Sequence, residues 1–194
     1  MKEQEWDKKL NINTIGRDAS IEDNYHFPYE PTPYCVLERL VESGYINKKN
    51  QIVDYGSGKG RVPLFLNYKL ECRAIGVDFS QKFCNMALKN KETSKIKDVD
   101  FYCINAEKYE LSEEDSFYFF HPFSLEILQS VVGKIKNSYY NNPREMKLFF
   151  YYPSDAYISY LMMVDEMCFL DEIDCQDLFE GKNNREKILI FQMR

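Results

Sequence analysis

A chain of 194 residues can bury one substantial core but is short for two. The opening Met1-Lys2-Glu3-Gln4-Glu5-Trp6-Asp7 is too charged for a signal peptide, and no run approaches the ~18 apolar residues of a membrane span, so a cytoplasmic protein without a membrane partner is expected. Charge divides unevenly: residues 59–97 hold 9 basic and 3 acidic groups and residues 98–194 hold 9 and 18, so the later half has the wrong sign for a nucleic-acid face.

Residues 1–28 have weak periodicity, and Asp18, Ser20, Glu22, Asp23 and Asn24 read as turn formers; a flexible arm and a lid over a ligand are both open. Thr32-Pro33 reads as an N-cap with Pro at the first helical position. Val36, Leu37, Leu40 and Val41 then follow at helical spacing, and Gly44 closes the helix. From residue 51 strand and helix signals alternate: strands at 51–55, 73–78, 99–104, 116–120 and 147–152, with helices at 60–70, after Ser80 to about Lys91, through Leu125–Val132, and from Tyr157 to Val164. Two last strands, near 167–175 and 186–193, enclose Gly181-Lys182-Asn183-Asn184. The expectation is an α/β fold: a Rossmann-like, seven-stranded, mostly parallel sheet with one antiparallel strand and helices on both faces. One domain is expected over 1–194, with an N-terminal arm and capping helix at 1–47 and the α/β core at 48–194.

Within that alternation the stretch Asp54-Tyr55-Gly56-Ser57-Gly58-Lys59-Gly60-Arg61 joins a strand to a helix through a glycine turn. Such a turn lets backbone approach a ligand closely, and ligands of open α/β sheets bind beyond the carboxyl ends of the strands. The spacing is G-x-G-x-G, not the G-x-G-x-x-G of dinucleotide enzymes, which disfavours a nicotinamide oxidoreductase. Asp78 closes the next strand about 20 residues on, where a carboxylate meets ribose hydroxyls. Six scattered cysteines with no C-x-x-C pair and only two histidines point to reduced structural thiols and to no metal site.

The glycine turn with Asp54 and Asp78 resembles the first two motifs of class I S-adenosylmethionine-dependent methyltransferases. The lead-in Tyr29-Glu30-Pro31-Thr32-Pro33-Tyr34 and the segment His121-Pro122-Phe123 are similar to a small bacterial subfamily. The resemblance covers about residues 29–123. It implies S-adenosyl-L-methionine as cofactor, held by Tyr29, Thr32, Asp54, Gly56, Ser57, Gly58, Gly60, Arg61, Asp78, Phe79, Asn105 and Ala106. Asp54 is expected at the ammonium or fixing the turn, Arg61 at the carboxylate or in solvent, Phe79 on the adenine or in the core, and Asn105 at the adenine edge or forming a turn. His121, Pro122 and Phe123 fall where amine methyltransferases carry Asn/Asp-Pro-Pro-aromatic, and the histidine and single proline depart from that pattern. His121 is expected to orient or deprotonate an acceptor, its imidazole titrating near neutrality, or to serve as a hydrogen-bonded helix start. Tyr151 and Tyr152 are aromatic faces for a developing cation or simply core and rim. The expected function is methyl transfer to an unidentified acceptor, with nitrogen favoured as in a protein lysine or small amine. The alternative is an inactive protein of the same fold that binds the cofactor or a partner.

Overall fold

The computed structural model describes residues 2–20, 25 and 27–194. Two N-terminal helices, α1 (Glu3–Leu10) and α2 (Tyr34–Glu42), precede an alternating core. That core runs β1 (Gln51–Tyr55), α3 (Arg61–Leu70), β2 (Arg73–Asp78), α4 (Gln81–Ser94), β3 (Val99–Cys103), β4 (Ser116–Phe119), α5 (Leu125–Asn141), β5 (Lys147–Tyr151), α6 (Asp155–Leu161), β6 (Met167–Asp174) and β7 (Lys187–Met193). The seven strands form one sheet in the order β3-β2-β1-β4-β5-β7-β6, and β7 runs antiparallel to both its neighbours. This is the expected α/β arrangement. The strand order reverses between β1 and β4, so their carboxyl ends open a crevice there.

The central strands are buried along nearly their whole length, and their alternation assigns residues to two cores. Ile52, Ala74, Tyr118, Phe149 and Tyr151 face a cluster shared with α1, α2 and α3, whereas Val53, Val77, Phe117, Phe119 and Phe150 face one shared with α5 and α6. Phe119 stacks between Tyr55 and Phe150, at 5.2 and 4.7 Å between ring centres. Each such ring buries roughly 150–250 Å², so these rings are the main glue of the second core.

Three local expectations are revised. Residues 3–10 are helical: Trp6 and Leu10, one turn apart, are buried, and Trp6 packs on Tyr34 and Phe65. A weak intrinsic pattern is overridden here by tertiary burial. The arm-or-lid alternative also touches residues 1, 21–24 and 26, which lie outside the described residues. At α2 the N-cap is Pro33, with no side-chain cap; the Thr32 hydroxyl instead meets the Tyr118 hydroxyl at 3.2 Å, because a buried tyrosine needs a partner there. Finally, α4 continues three residues past Lys91 to Ser94, with Lys95 left-handed at its end.

Candidate active site

A cleft lies over the carboxyl ends of β1, β2 and β4. Its walls include Tyr29, Thr32, Asp54, Gly56, Ser57, Arg61, Asp78, Phe79, Asn105, Ala106, His121, Pro122 and Phe123. The fold therefore gathers every expected cofactor-binding and catalytic residue except Gly58 and Gly60, which lie in the same turn; of the two rings offered for a developing cation, Tyr151 is core and Tyr152 lies outside the cleft walls.

The glycines allow close packing of protein on protein. A Cβ on Gly56 would sit 2.4 Å from Pro122 Cβ, one on Gly58 would meet the Tyr29 ring at 2.3 Å, and one on Gly60 the Phe101 ring at 2.5 Å. All three have positive φ, which other residues adopt at a cost. The turn is thus open to main-chain approach from a ligand only between these three side chains. Its backbone is held by β2, since Gly56 and Ser57 N–H both donate to the Val77 carbonyl at 2.8 and 3.1 Å.

Two acids of opposite circumstance face this turn. Asp78 accepts from Gly58 N–H at 2.8 Å and Ser80 N–H at 2.9 Å, which orient its carboxylate at the cleft wall. Asp54 is 4% exposed, and no group among the described residues donates a hydrogen bond to it. Burial, and secondarily the nearby Asp78 charge, push its carboxyl well above the usual range. A buried acid without a donor is a site awaiting a cation or a hydrogen-bond donor.

Arg61 is only 2% exposed and ties distant segments together. Its Nε donates to the Thr14 hydroxyl at 2.7 Å, and Nη1 donates to Glu3 and to the Thr32 carbonyl. The guanidinium lies over the Tyr34 ring at 4.2 Å, and Nη2 is 3.8 Å from Asp7 Oδ1. Most of its hydrogen-bonding capacity is spent on protein, which leaves buried Nη2, without a hydrogen bond, for an anion. Lys59 similarly donates to the Ile15 carbonyl at 3.0 Å and lies over the Tyr29 ring at 4.5 Å. Both cations at the start of α3 are therefore held by the N-terminal segment, Arg61 by the acids Glu3 and Asp7 and Lys59 by the Ile15 carbonyl and the Tyr29 ring. Sequence reading missed this role; acids at Glu3 and Asp7 beside an apolar Trp6–Leu10 stripe were its only trace.

Tyr29 reaches the site, but its hydroxyl donates to the Thr14 carbonyl at 2.5 Å. Asn105 Oδ1 accepts from Glu107 N–H at 2.8 Å, so the turn-forming role is present, and its amide nitrogen is the part left for an adenine edge. Phe79 is 40% exposed at the cleft, which fits a stacking surface better than core.

His121 ends the β4 segment with φ +40°, its ring stacked on Phe27 at 4.5 Å and tilted on Tyr157 at 4.9 Å. Burial, and after it the charge of Arg185, push its imidazole down to about 4. The near-neutral titration expected from sequence is thus revised: His121 is uncharged at pH 7 and a weak proton acceptor. The Tyr157 hydroxyl donates to the Phe123 carbonyl, and the Pro122 carbonyl takes a long bond from Phe27 N–H at 3.4 Å. No group of His, Cys, Asp or Glu among the described residues could hold a metal ion.

Residues 52–135 match the family described as a methyltransferase domain. A release factor glutamine methyltransferase from Buchnera aphidicola is 27% identical over 104 residues, 48% of this chain and 38% of that protein. A protein-lysine N-methyltransferase from Saccharolobus islandicus is 29% identical over 72 residues, 37% of this chain and 45% of that one. The matches thus span less than half the length of either curated relative. The RNA methyltransferase from Salinibacter ruber, solved in complex with S-adenosyl-L-homocysteine, superposes with a TM-score of 0.53 at 18% identity, over 84% of this chain and 92% of that one. Among the described residues no helix is long and apolar enough to cross a membrane. The strand order and the glycine turn, together with this matched segment, are those of class I S-adenosylmethionine-dependent methyltransferases.

Proposed function

We propose that the protein transfers a methyl group from S-adenosylmethionine to a nitrogen acceptor. The observation that carries the reading is the buried, donor-free Asp54 in one cleft with the oriented Asp78 and the His121-Pro122-Phe123 segment. The residues fit the cofactor. Asp54 suits an ammonium, Asp78 with two backbone N–H groups behind it suits ribose hydroxyls, Phe79 offers a ring face, and Arg61 Nη2 remains for a carboxylate. When bound, S-adenosylmethionine supplies a methyl group on a positively charged sulfur, which leaves with the bonding pair as the new C–N bond forms.

The chain's own part is positioning and exclusion of water. Neutral His121 and the Pro122 carbonyl point the acceptor nitrogen, and Phe123 (3% exposed) walls the site from solvent. Because the imidazole is pushed down to about 4, the acceptor's proton leaves to water and is not held by His121. The name of one curated relative, a protein-lysine N-methyltransferase, supports the choice of nitrogen.

Titration calorimetry with S-adenosylmethionine tests the cofactor, comparing wild type with Asp78→Ala. Transfer of labelled methyl to lysine peptides, small amines and RNA tests the acceptor. Binding without transfer to any of them would favour the inactive alternative, and no heat from wild type would defeat both.

A further inference from the structure

Among the described residues five non-glycine residues have positive φ. Three of them, Asn11, Glu71 and Lys95, end helices, where a left-handed residue is ordinary. The other two, His121 (φ +40°) and Tyr152 (φ +53°), follow adjacent parallel strands β4 and β5 on the acceptor side of the cleft. Bulky residues held this way carry backbone strain and persist where the surroundings impose them.

At Tyr152 the surroundings form a platform for one cation. The Tyr152 N–H donates to the Lys187 carbonyl at 3.0 Å, and Asn183 Nδ2 donates to the Tyr152 hydroxyl at 2.9 Å, fixing the ring at both ends. Arg185 lies on that ring, its guanidinium carbon 4.1 Å from the centre. Its Nε donates to the Pro153 carbonyl at 3.1 Å and Nη2 to the Tyr152 carbonyl at 3.0 Å. Among the described residues no carboxylate pairs with Arg185; the neighbouring Glu186 is turned to the Tyr151 hydroxyl at 2.6 Å. Two of the five guanidinium N–H groups are therefore used, and the outer face, with Nη1, is left for an acceptor oxygen. Phe120 joins this platform to the cleft, since it lines the cleft beside His121 and its ring lies 6.3 Å from that of Tyr152.

We propose that Arg185 is a specificity residue that binds a carboxylate carried by the methyl acceptor, so that the acceptor is an amine with a carboxylate beyond the Phe120 ring. The inference rests on reading the cleft as a methyl-transfer site and names the substrate class. It replaces a purely cationic acceptor, because an unpaired guanidinium at the entrance repels one and attracts a carboxylate. The planar fork, stacked and half bonded, is pre-organised for an oxyanion in a way a surface lysine is not.

The test uses benzoate as an aromatic carboxylate probe and benzamide as its uncharged counterpart. Each is titrated into the full chain with and without S-adenosylhomocysteine and followed by calorimetry and by the His121 imidazole signal, one of only two histidines in the sequence. Benzoate is expected to bind and move the His121 signal, benzamide to bind at least about tenfold more weakly, and Arg185→Gln to remove the difference. Should the glutamine variant unfold, Arg185→Lys keeps the charge and must still prefer benzoate. Equal affinity for the two probes, no binding of benzoate, or a preference that survives in Arg185→Gln overturns the proposal. Failure of S-adenosylhomocysteine to bind while benzoate still discriminates would defeat the cofactor reading and leave the anion site standing.

Discussion

At the end of β1 the chain turns on Gly56, Gly58 and Gly60; after β4 and β5 it reaches the same left-handed region with His121 and Tyr152. Glycine adopts that conformation freely, so the end of β1 is shaped by what its missing side chains allow: Pro122, Tyr29 and Phe101 fill the space where a Cβ would stand. The ends of β4 and β5 are shaped by large side chains pressed into place: His121 between Phe27 and Tyr157, and Tyr152 under Arg185. The lesson is a division of labour. The turn after β1 is a cradle relaxed by glycine and closed by its neighbours, while the ends of β4 and β5 hold bulky side chains in a strained backbone.

The largest expected effect lies at the donor end. Replacing Arg61 with alanine leaves buried Asp7 with its hydrogen bonds from Thr14 and Tyr34 but without its cation, and should cost about 3–5 kcal/mol, seen as a lowered midpoint in urea unfolding. Next, Asp78→Ala removes a charged acceptor to ribose as well as the bracing of Gly58 and should weaken S-adenosylmethionine binding about 100-fold by calorimetry. Asp54→Asn separates stability from binding. Its folded pKa lies above the unfolded value of about 3.9, so the folded chain holds this proton more tightly than the unfolded chain does. Stability from this group is complete below that value and declines as pH rises through the folded pKa. The asparagine variant should lose this decline yet bind the cofactor about tenfold more weakly, and proton release on binding, read from calorimetry in two buffers, should vanish with it.

The smallest effect tests the acceptor end. Asparagine tolerates left-handed φ better than histidine does, so His121→Asn should gain up to about 1 kcal/mol of stability in thermal melts while methyl transfer falls. If that variant gains nothing, the contrast between a relaxed and a strained end is lost. His121 also sharpens the contrast through pH. Its folded pKa of about 4 lies below the unfolded value of about 6.5, so the folded chain takes up the proton less readily. Stability attributable to it should fall as pH drops from about 6.5 toward 4, and the rate should show no inflection near neutrality from this residue.

The fold was legible because central parallel strands are buried on both faces and leave short apolar runs such as Phe117–Phe119, each followed by a helix with its own apolar stripe. That these residues meet at one cleft was legible for a related reason: Gly56–Gly60 and Asp78 are local signals at strand ends. What lay hidden depends on contacts between distant residues. Nothing in the spacing shows that Arg61 reaches Glu3, 58 residues earlier, or that Thr32 gives up capping for the Tyr118 hydroxyl. The depressed titration of His121 arises from rings brought in by Phe27 and Tyr157, and the Arg185 platform from a loop returning beside β5. A residue's type announces its chemistry, but its burial is decided elsewhere in the chain.

Arg61 bridges Glu3, Asp7, Thr14 and Thr32 while opening the helix that follows the glycine turn. Fraying of the first helix and loosening of the nucleotide cradle are therefore one cooperative event rather than two. Amide protection in residues 3–14 and in 56–61 should rise together when ligand is added, and clipping the N-terminal ten residues should behave as a ligand-affinity lesion, although none of them touches the cleft.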